Sequence, residues 1–244
     1  MIIDCISDLH GHYPELEGGD LLIVAGDLVG HSNEQEYLDL YNWIRAQNYR
    51  KKIVIAGNHD TLIQRNGEEW MGFEDAGFDY LCDSGTEFVY WPPLTLDDEG
   101  MIRERKTFKI WGSPWTKRFP GMNPKCMAFT VDTDEELAEK WKLIPPDTDI
   151  LVTHCPPRGI FDQVLEYDSQ VREMIPNSVG SSSLNHWIKN KWQRLNGKTM
   201  KIHIFGHIHE HGGKTAIEYM VVFGNASHVN ERYEPVNKPI RIEL

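Results

Sequence analysis

A mixed α/β fold with strands joined by helical crossovers is what three observations in this sequence predict. Short apolar runs of strand length recur along the chain, rich in Ile, Val and Leu. Each run stops in a polar loop, several of them at a glycine. Segments with the i, i+3, i+4, i+7 spacing of an amphipathic helix stand between them.

Ile2 to Ser7 is the first strand, and Asp8-Leu9-His10-Gly11 follows it. An aspartate and a histidine two residues apart on one loop can point at a common centre, although D-x-H is frequent by chance. Asp20 to Ala25 supplies a second buried strand through Leu21-Leu22-Ile23-Val24, and Gly26-Asp27-Leu28-Val29-Gly30 ends it. Asp27 could bind a ligand there or cap the next helix. Ser32 and Gln35 have capping-box spacing and open that helix, with Tyr37, Leu40, Tyr41 and Ile44 on its apolar face.

The third strand, Lys52 to Ala56, leads into Gly57-Asn58-His59-Asp60. This stretch is the pivot of the chain. Gly57 lets the backbone turn, so an amide, an imidazole and a carboxylate fall just beyond the carboxyl end of a core strand. Open α/β sheets place their chemistry there.

From Phe78 to Trp111 the pattern changes. Glu87–Trp91 and Thr107–Trp111 read as strands of a second, partly antiparallel sheet, with turns at Pro92-Pro93 and Asp97–Gly100. A loop rich in Pro, Gly and aromatics runs from Gly112 to Asn123. Thr133 and Glu136 form another capping box, opening a helix to Trp141. Asp149–Thr153 is a strand ending in His154-Cys155-Pro156-Pro157. Ser181–Leu195 is a helix with Leu184, Trp187, Ile188, Trp192 and Leu195 on one face, closed near Gly197. Lys201–Phe205 is a strand ending in Gly206-His207-Ile208-His209; His203 lies inside it and is not expected to bind a ligand. Glu218–Phe223 and Ile240–Leu244 close the chain.

The chain has 244 residues, 40% hydrophobic and 25% charged, which fits a soluble globular protein folding as a single domain over residues 1–244. A formal charge of -12 argues against bulk nucleic-acid binding, since an acidic surface repels phosphate backbones. No apolar run has membrane-spanning length, and no signal peptide is read before Ile2. Cys5, Cys82, Cys126 and Cys155 are far apart and form no CxxC pair, which suits a reduced, cytoplasmic chain.

Five strand-end loops therefore offer Asp8, His10, Asp27, Asn58, His154, His207 and His209. Oxygen and imidazole donors without thiolate suit manganese, iron or zinc. Two such ions need one bridging carboxylate and several terminal ligands, and seven residues can supply them.

The blocks D-x-H, G-D-x-x-G, G-N-H-D, a histidine after a strand, and G-H-x-H occur here in order. On them the chain, from Ile2 to about His209, resembles the calcineurin-like metallophosphoesterases. Gly112-Ser113-Pro114-Trp115, Thr153–Pro157, Asn225-Ala226-Ser227, Tyr233 and Asn237-Lys238-Pro239 carry a closer similarity to the metallophosphoesterase-domain-containing branch; Cys155 stands where that branch usually has glycine. The resemblance implies a four-layer α/β/β/α sandwich of two mixed sheets with a dinuclear metal site at the strand-end loops. It implies Asp8, His10, Asp27 and His209 around one metal and Asp27, Asn58, His154 and His207 around the other. Manganese is the expected metal, with iron and zinc as alternatives.

The implied reaction is in-line attack on phosphorus by a metal-bridging hydroxide. His59 is expected to stabilise the transition state or protonate the leaving alkoxide, with Asp60 hydrogen-bonding its ring to fix the tautomer. The expected substrate is a small phosphoester, a nucleotide-type phosphodiester. A phosphomonoesterase is the alternative, because Asp8–Gly11 is also similar to phage-type serine/threonine phosphatases. A metal-poor protein-binding scaffold is the alternative from another class, and the complete ligand set argues against it. Trp115 and Arg158 are the expected substrate contacts, a flat ring and a cation for an anionic ligand bearing a base, with Lys117, Arg118 and Phe119 nearby.

Overall fold

Alternate residues of the apolar strands go to opposite faces of two sheets, and that alternation builds the layers. The computed structural model describes residues 1–67, 77–92, 104–119, 121–169, 172–194 and 200–244. The first sheet has the order β15-β1-β2-β3-β4, formed by β1 (Ile2–Ile6), β2 (Gly19–Ala25), β3 (Tyr49–Ile55), β4 (Asp79–Tyr80) and β15 (Ile240–Glu243). β1 to β4 are parallel and β15 is antiparallel. The second sheet has the order β13-β14-β12-β9-β6-β5. Its strands are β5 (Ser84–Tyr90), β6 (Lys106–Ser113), β9 (Ile150–Thr153), β12 (Ile202–Phe205), β13 (Lys214–Glu218) and β14 (Val221–Asn225), with parallel pairing in the middle and antiparallel hairpins at both edges.

Three apolar layers result. Ile3, Cys5, Leu21, Ile23, Ile53 and Ile55 pack between the sheets against Phe108, Ile110, Ile150, Val152, Ile202 and Ile204. The opposite face of the first sheet, through Leu22, Val24 and Val54, packs on Tyr37, Leu40, Trp43 and Ile44 of helix α1 (Glu34–Ala46). The outer face of the second sheet, through Leu151, Phe205 and Phe223, packs on Leu137 and Trp141 of α3 (Asp134–Trp141) and on Leu184 and Ile188 of α4 (Ser182–Arg194). Helix, sheet, sheet, helix is the four-layer order expected. A further short helix, α2 (Thr61–Asn66), follows the pivotal loop.

Several local details differ from the sequence reading. The cap of α1 is Asn33, boxed with Glu36, and not Ser32 with Gln35. Ser32 sits at φ 52, outside the extended conformation an N-cap needs, and its hydroxyl instead pairs with Tyr37 and accepts from the Leu62 N–H. Trp43 joins the buried face of α1, while Tyr41 is only partly buried. The box of Thr133 and Glu136 forms as read. Glu218–Phe223 is not one strand: Tyr219 and Met220, both at positive φ, turn β13 back on β14. β4 belongs to the first sheet. An exposed hairpin of β10 (Gln163–Asp168) and β11 (Glu173–Ser178) carried no sequence signal. A pair of two-residue strands, β7 (Thr116–Lys117) and β8 (Thr130–Val131), ties down the loop after β6. The turn read at Asp97–Gly100, Pro93, the Trp192 and Leu195 side chains and the helix end at Gly197 lie outside what the structure describes. No described helix is long and apolar enough to cross a membrane.

Candidate metal centre

The parallel strands β1, β2 and β3 of one sheet and β9 and β12 of the other end on the same side of the sandwich. Backbone bonds tie these ends together. Ser7 N–H donates to Ala226 O, Asp8 N–H to Gly26 O, and Gly206 N–H to His154 O, at 2.8, 2.9 and 3.2 Å. The loops that follow are tight. Asp8, His10, Asp27 and His207 all lie at positive φ, a conformation that non-glycine residues adopt rarely and that clusters at functional sites.

The glycines preceding the candidate ligands have a steric reason. A Cβ on Gly57 would stand 2.3 Å from Asp27 Oδ1 and 2.8 Å from the His154 ring. A Cβ on Gly206 would stand 2.1 Å from both Asp8 Oδ2 and Ser7 Oγ. The backbone at each strand end passes so close to the carboxylates that no side chain fits.

Two groups of side chains converge. Asp8, His10, Asp27 and His209 form one and Asp27, His154 and His207 the other, with the donor atoms of each group within 4.8 Å of one another. Asp27 belongs to both. Its Oδ1 accepts the His59 N–H at 2.8 Å, while its Oδ2 faces His154 Nε2 at 3.4 Å and His10 Nε2 at 3.7 Å. Asn58 Oδ1 lies 3.1 Å from His154 Nε2, which adds an amide oxygen to the second group. His154 is oriented from behind, its Nδ1 3.0 Å from Ala25 O. Asp8 accepts the His207 N–H at 3.1 and 3.0 Å and the Ser227 hydroxyl at 2.8 Å, and its Oδ1 lies 3.1 Å from His209 Nε2.

The electrostatics suit a cation here. Asp8 and Asp27 are buried, and among the described residues their ion-pair partners are histidines alone. Burial favours the neutral carboxyl. For Asp8 the His209 hydrogen bond and the charges of His209 and His154 together outweigh that, and for Asp27 the combined charges and hydrogen bond of His154, with His59 and His10, do; both carboxyls sit well below their ordinary value. In turn His154 is raised to about 9: burial opposes its charge, but Asp27 overrides burial. His209 is raised through Asp8 in the same way. His10 and His207 are lowered to about 3, mainly by burial, so they stay neutral with lone pairs available. Among the described residues, His10 Nδ1 is buried without a hydrogen-bond partner. Two ionised carboxylates, an amide oxygen and four imidazoles, with Asp27 common to both groups, would fit two divalent cations.

A cleft of about 910 Å³ opens onto this cluster. Its walls include Asp27, Asn58, His59, His207 and His209, the loop residues Lys117, Arg118 and Phe119, Arg158, the hairpin residues Glu166, Tyr167 and Asn177, and Tyr233. Arg158 therefore lies where a substrate contact was expected. Trp115 does not line the cleft. Its indole packs between the two helix-side cores, Nε1 donates to Asp83 at 2.8 Å, and Lys140 Nζ sits 3.7 Å from the ring centroid. Phe119, half exposed in the same loop, takes the cleft position instead.

His59 lies beside the cluster, its Nε2 4.0 Å from Asp27 Oδ2, but its ring is not held by Asp60. Nδ1 faces Gly30 O at 3.5 Å. The Asp60 carboxylate instead accepts from the Gly57 N–H at 2.7 Å and the Leu28 N–H at 3.2 Å, which locks the Asp27 loop to the Asn58 loop. Burial, with Asp27 nearby, raises Asp60 to about 8. Cys155 points into the helix-side core, away from the ligands. His203 is buried with Nε2 2.8 Å from Thr153 Oγ1 and stands apart from both ligand groups.

Sequence reasoning on the site missed the support from Asn225 and Ser227. Asn225 Oδ1 accepts the Ser227 N–H and its Nδ2 donates to Ile208 O, so one amide joins the Ser227 loop to the His207–His209 loop. The Asn-Ala-Ser segment after a closing strand was the available signal.

A sandwich of two mixed sheets gathers carboxylates and imidazoles at one set of strand ends, where they could hold metal ions. The calcineurin-like phosphoesterase family profile matches residues 1–211, and the chain belongs to that family. It is 31% identical over 98% of its length to metallophosphoesterase domain-containing protein 1 of Homo sapiens, covering 70% of that protein, and the Mus musculus protein matches equally. A UPF0046 protein of Caenorhabditis elegans is 28% identical over 97% of this chain and 72% of its own length. The chain is accordingly a metal-dependent phosphoester hydrolase.

Proposed function

We propose that this enzyme hydrolyses phosphodiesters of nucleotide type, with the residues 1–244 acting as one domain. The charge balance of the cleft carries the reading. Beyond the ligand cluster, Lys117, Arg118 and Arg158 line it, and so do Glu166, Glu210 and Glu231. Arg118 is already engaged by Asp132 at 2.7 Å and by Thr130. A phosphomonoester is close to a dianion at neutral pH, with a second pKa near 6, and calls for an excess of cations. A diester is a monoanion, and a balanced wall with exposed rings suits its uncharged substituents. A volume near the top of the usual ligand-pocket range accommodates a nucleotide.

In this reading Asp8, His10, Asp27 and His209 would hold one cation and Asp27, Asn58, His154 and His207 the other, with manganese the proposed ion and iron or zinc as alternatives that the mixed oxygen and imidazole donors also suit. The pair supplies charge neutralisation at the phosphoryl group and lowers the pKa of a bound water. The His59 Nδ1 faces Gly30 O at 3.5 Å, which leaves Nε2 to stabilise or protonate the departing alkoxide. Asp60 positions the two ligand-bearing loops. Arg158 steers the anion into the cleft. The four free thiols suit a reducing compartment, so we place the protein in the cytoplasm.

The test compares kcat/KM for bis-p-nitrophenyl phosphate and p-nitrophenyl phosphate on the manganese-loaded protein. Preference for the diester is expected. Turnover of the monoester alone would replace this reading with a phosphomonoesterase.

A further inference from the structure

Two half-exposed aromatic rings flank the ligand cluster, and they touch different parts of it. Phe119 is 51% and Tyr233 49% exposed, and both line the cleft. The Phe119 ring lies 6.4 Å from the ring of His207, a member of the second ligand group. The Tyr233 ring lies 4.8 Å from that of His10 and 5.4 Å from that of His209, both in the first group, and 6.1 Å from that of His59. Among the described residues, no ring contact joins Phe119 to the first group or Tyr233 to the second.

Neither ring is placed by chance exposure. Tyr233 sits at φ 61, a costly conformation for an aromatic residue. The turn that holds it is built by Asn230: its carbonyl accepts the Tyr233 N–H at 2.9 Å and its side-chain oxygen accepts the N–H groups of Arg232 and Glu234. A bridge between Val229 and Pro235 closes the loop. Phe119 follows β7, whose pairing with β8 is extended by the Arg118 N–H donating to Val131 O at 2.9 Å. Both exposed rings stand on anchored backbone.

We infer that Phe119 and Tyr233 form two separate subsites, one for each organic substituent of a phosphodiester, so that the enzyme selects diesters carrying a flat group on both substituents of phosphorus. The inference rests on the diesterase reading and deepens it. A diester has two organic substituents, and each ligand group has one ring beside it. A monoester has one substituent and leaves a ring unused. Stacking of a base on an aromatic ring is strong enough for each ring to contribute about tenfold in affinity.

The experiment measures binding of diphenyl phosphate, phenyl methyl phosphate and dimethyl phosphate by calorimetry to the manganese-loaded protein, with Phe119→Ala, Tyr233→Ala and the double variant. Metal content and melting temperature are recorded for each. Each single variant is expected to weaken diphenyl phosphate about tenfold with two metals retained, and the double about a hundredfold, because separate subsites act independently. Dimethyl phosphate is expected to bind weakly to every form, without the graded loss. Steady-state kinetics on bis-p-nitrophenyl phosphate should show the loss mainly in KM. Equal losses for all three ligands, or a double variant no worse than either single one, would overturn the two-subsite inference. Wild-type turnover of the monoester alone would instead remove the diesterase reading beneath it.

Discussion

At the scale of single residues, Asp27 and His59 separate two kinds of contribution that a loss of activity alone would confuse. Asp27 Oδ2 is shared by the rings of both ligand groups, so Asp27→Asn should lower metal content and turnover together. The loss should exceed the 10–100-fold typical for removing a mere hydrogen-bond partner of a ligand. His59 belongs to neither ligand group. His59→Asn should therefore keep both metals while turnover falls roughly 10²–10⁴-fold, the usual size of a lost acid–base group. Elemental analysis beside kcat decides the pair: loss of metal in the His59 variant would make that ring a ligand. Ser227 offers a subtler check, since its hydroxyl reaches Asp8 from 219 residues away. Ser227→Ala should weaken metal affinity about 10–100-fold with little change in kcat at saturating metal, measured by metal titration.

At the scale of elements, each strand end is a packing problem solved by glycine. Gly206 closes β12 against Asp8 and Ser7 with no room for a methyl group. Gly206→Ala should push the Asp8 carboxylate aside. The expected stability loss is about 1–3 kcal/mol, the usual range for overpacking, or roughly 3–10 °C in melting temperature at this chain length. Metal affinity should fall as well. Thermal melts with and without manganese read both, and a larger drop with the metal present would show that the ligand geometry is disturbed. The same scale explains Asp60. Its carboxylate binds backbone N–H groups on two loops, so it acts as a joint between elements. Proximity in sequence pairs it with the His59 ring, yet the Leu28 N–H it accepts comes from 32 residues away.

At the scale of the whole molecule, folding gathers ionised carboxylates and imidazoles into one place, and stability should depend on pH accordingly. His154 has a folded pKa of about 9, above its ordinary 6.5. Its stabilising contribution is complete below pH 6.5 and is lost as pH rises through 9. Asp60, raised to about 8, contributes in the same sense and loses its part by that pH. His10 and His207 are lowered to about 3, so their contribution is complete above pH 6.5 and falls away toward pH 3. Chelator-treated protein should therefore melt at progressively lower temperature from pH 6.5 to 9. Manganese should flatten that alkaline slope, because the cation then compensates the carboxylates and binding releases protons. Melting curves across this range with and without chelator check it; an unchanged slope would mean that His154 is not the charge partner of Asp27.

The sequence by itself determined the strands and the candidate donors, and its motifs carried the resemblance that implied four layers. Buried strands alternate between two apolar faces, so Leu21 to Val24 or Ile150 to Val152 are legible as apolar runs in the sequence. The seven donors stand within a few residues of those strands, which makes their position a local property. What tertiary structure decided is everything that depends on which distant surfaces meet. Trp115 looks like a substrate contact beside Lys117 and Arg118, but Asp83 and Lys140 hold it in the helix-side core, and Phe119 faces the cleft. The β10–β11 hairpin is largely exposed, so no buried face imprinted a pattern on its residues. Ser227 and Tyr233 reach the site from the far end of the chain, because the strand before them, β14, lies beside β12 in the second sheet. Hydrophobic periodicity is written residue by residue, whereas the neighbours of a loop are set by how two sheets stack, and no short stretch of sequence contains that information.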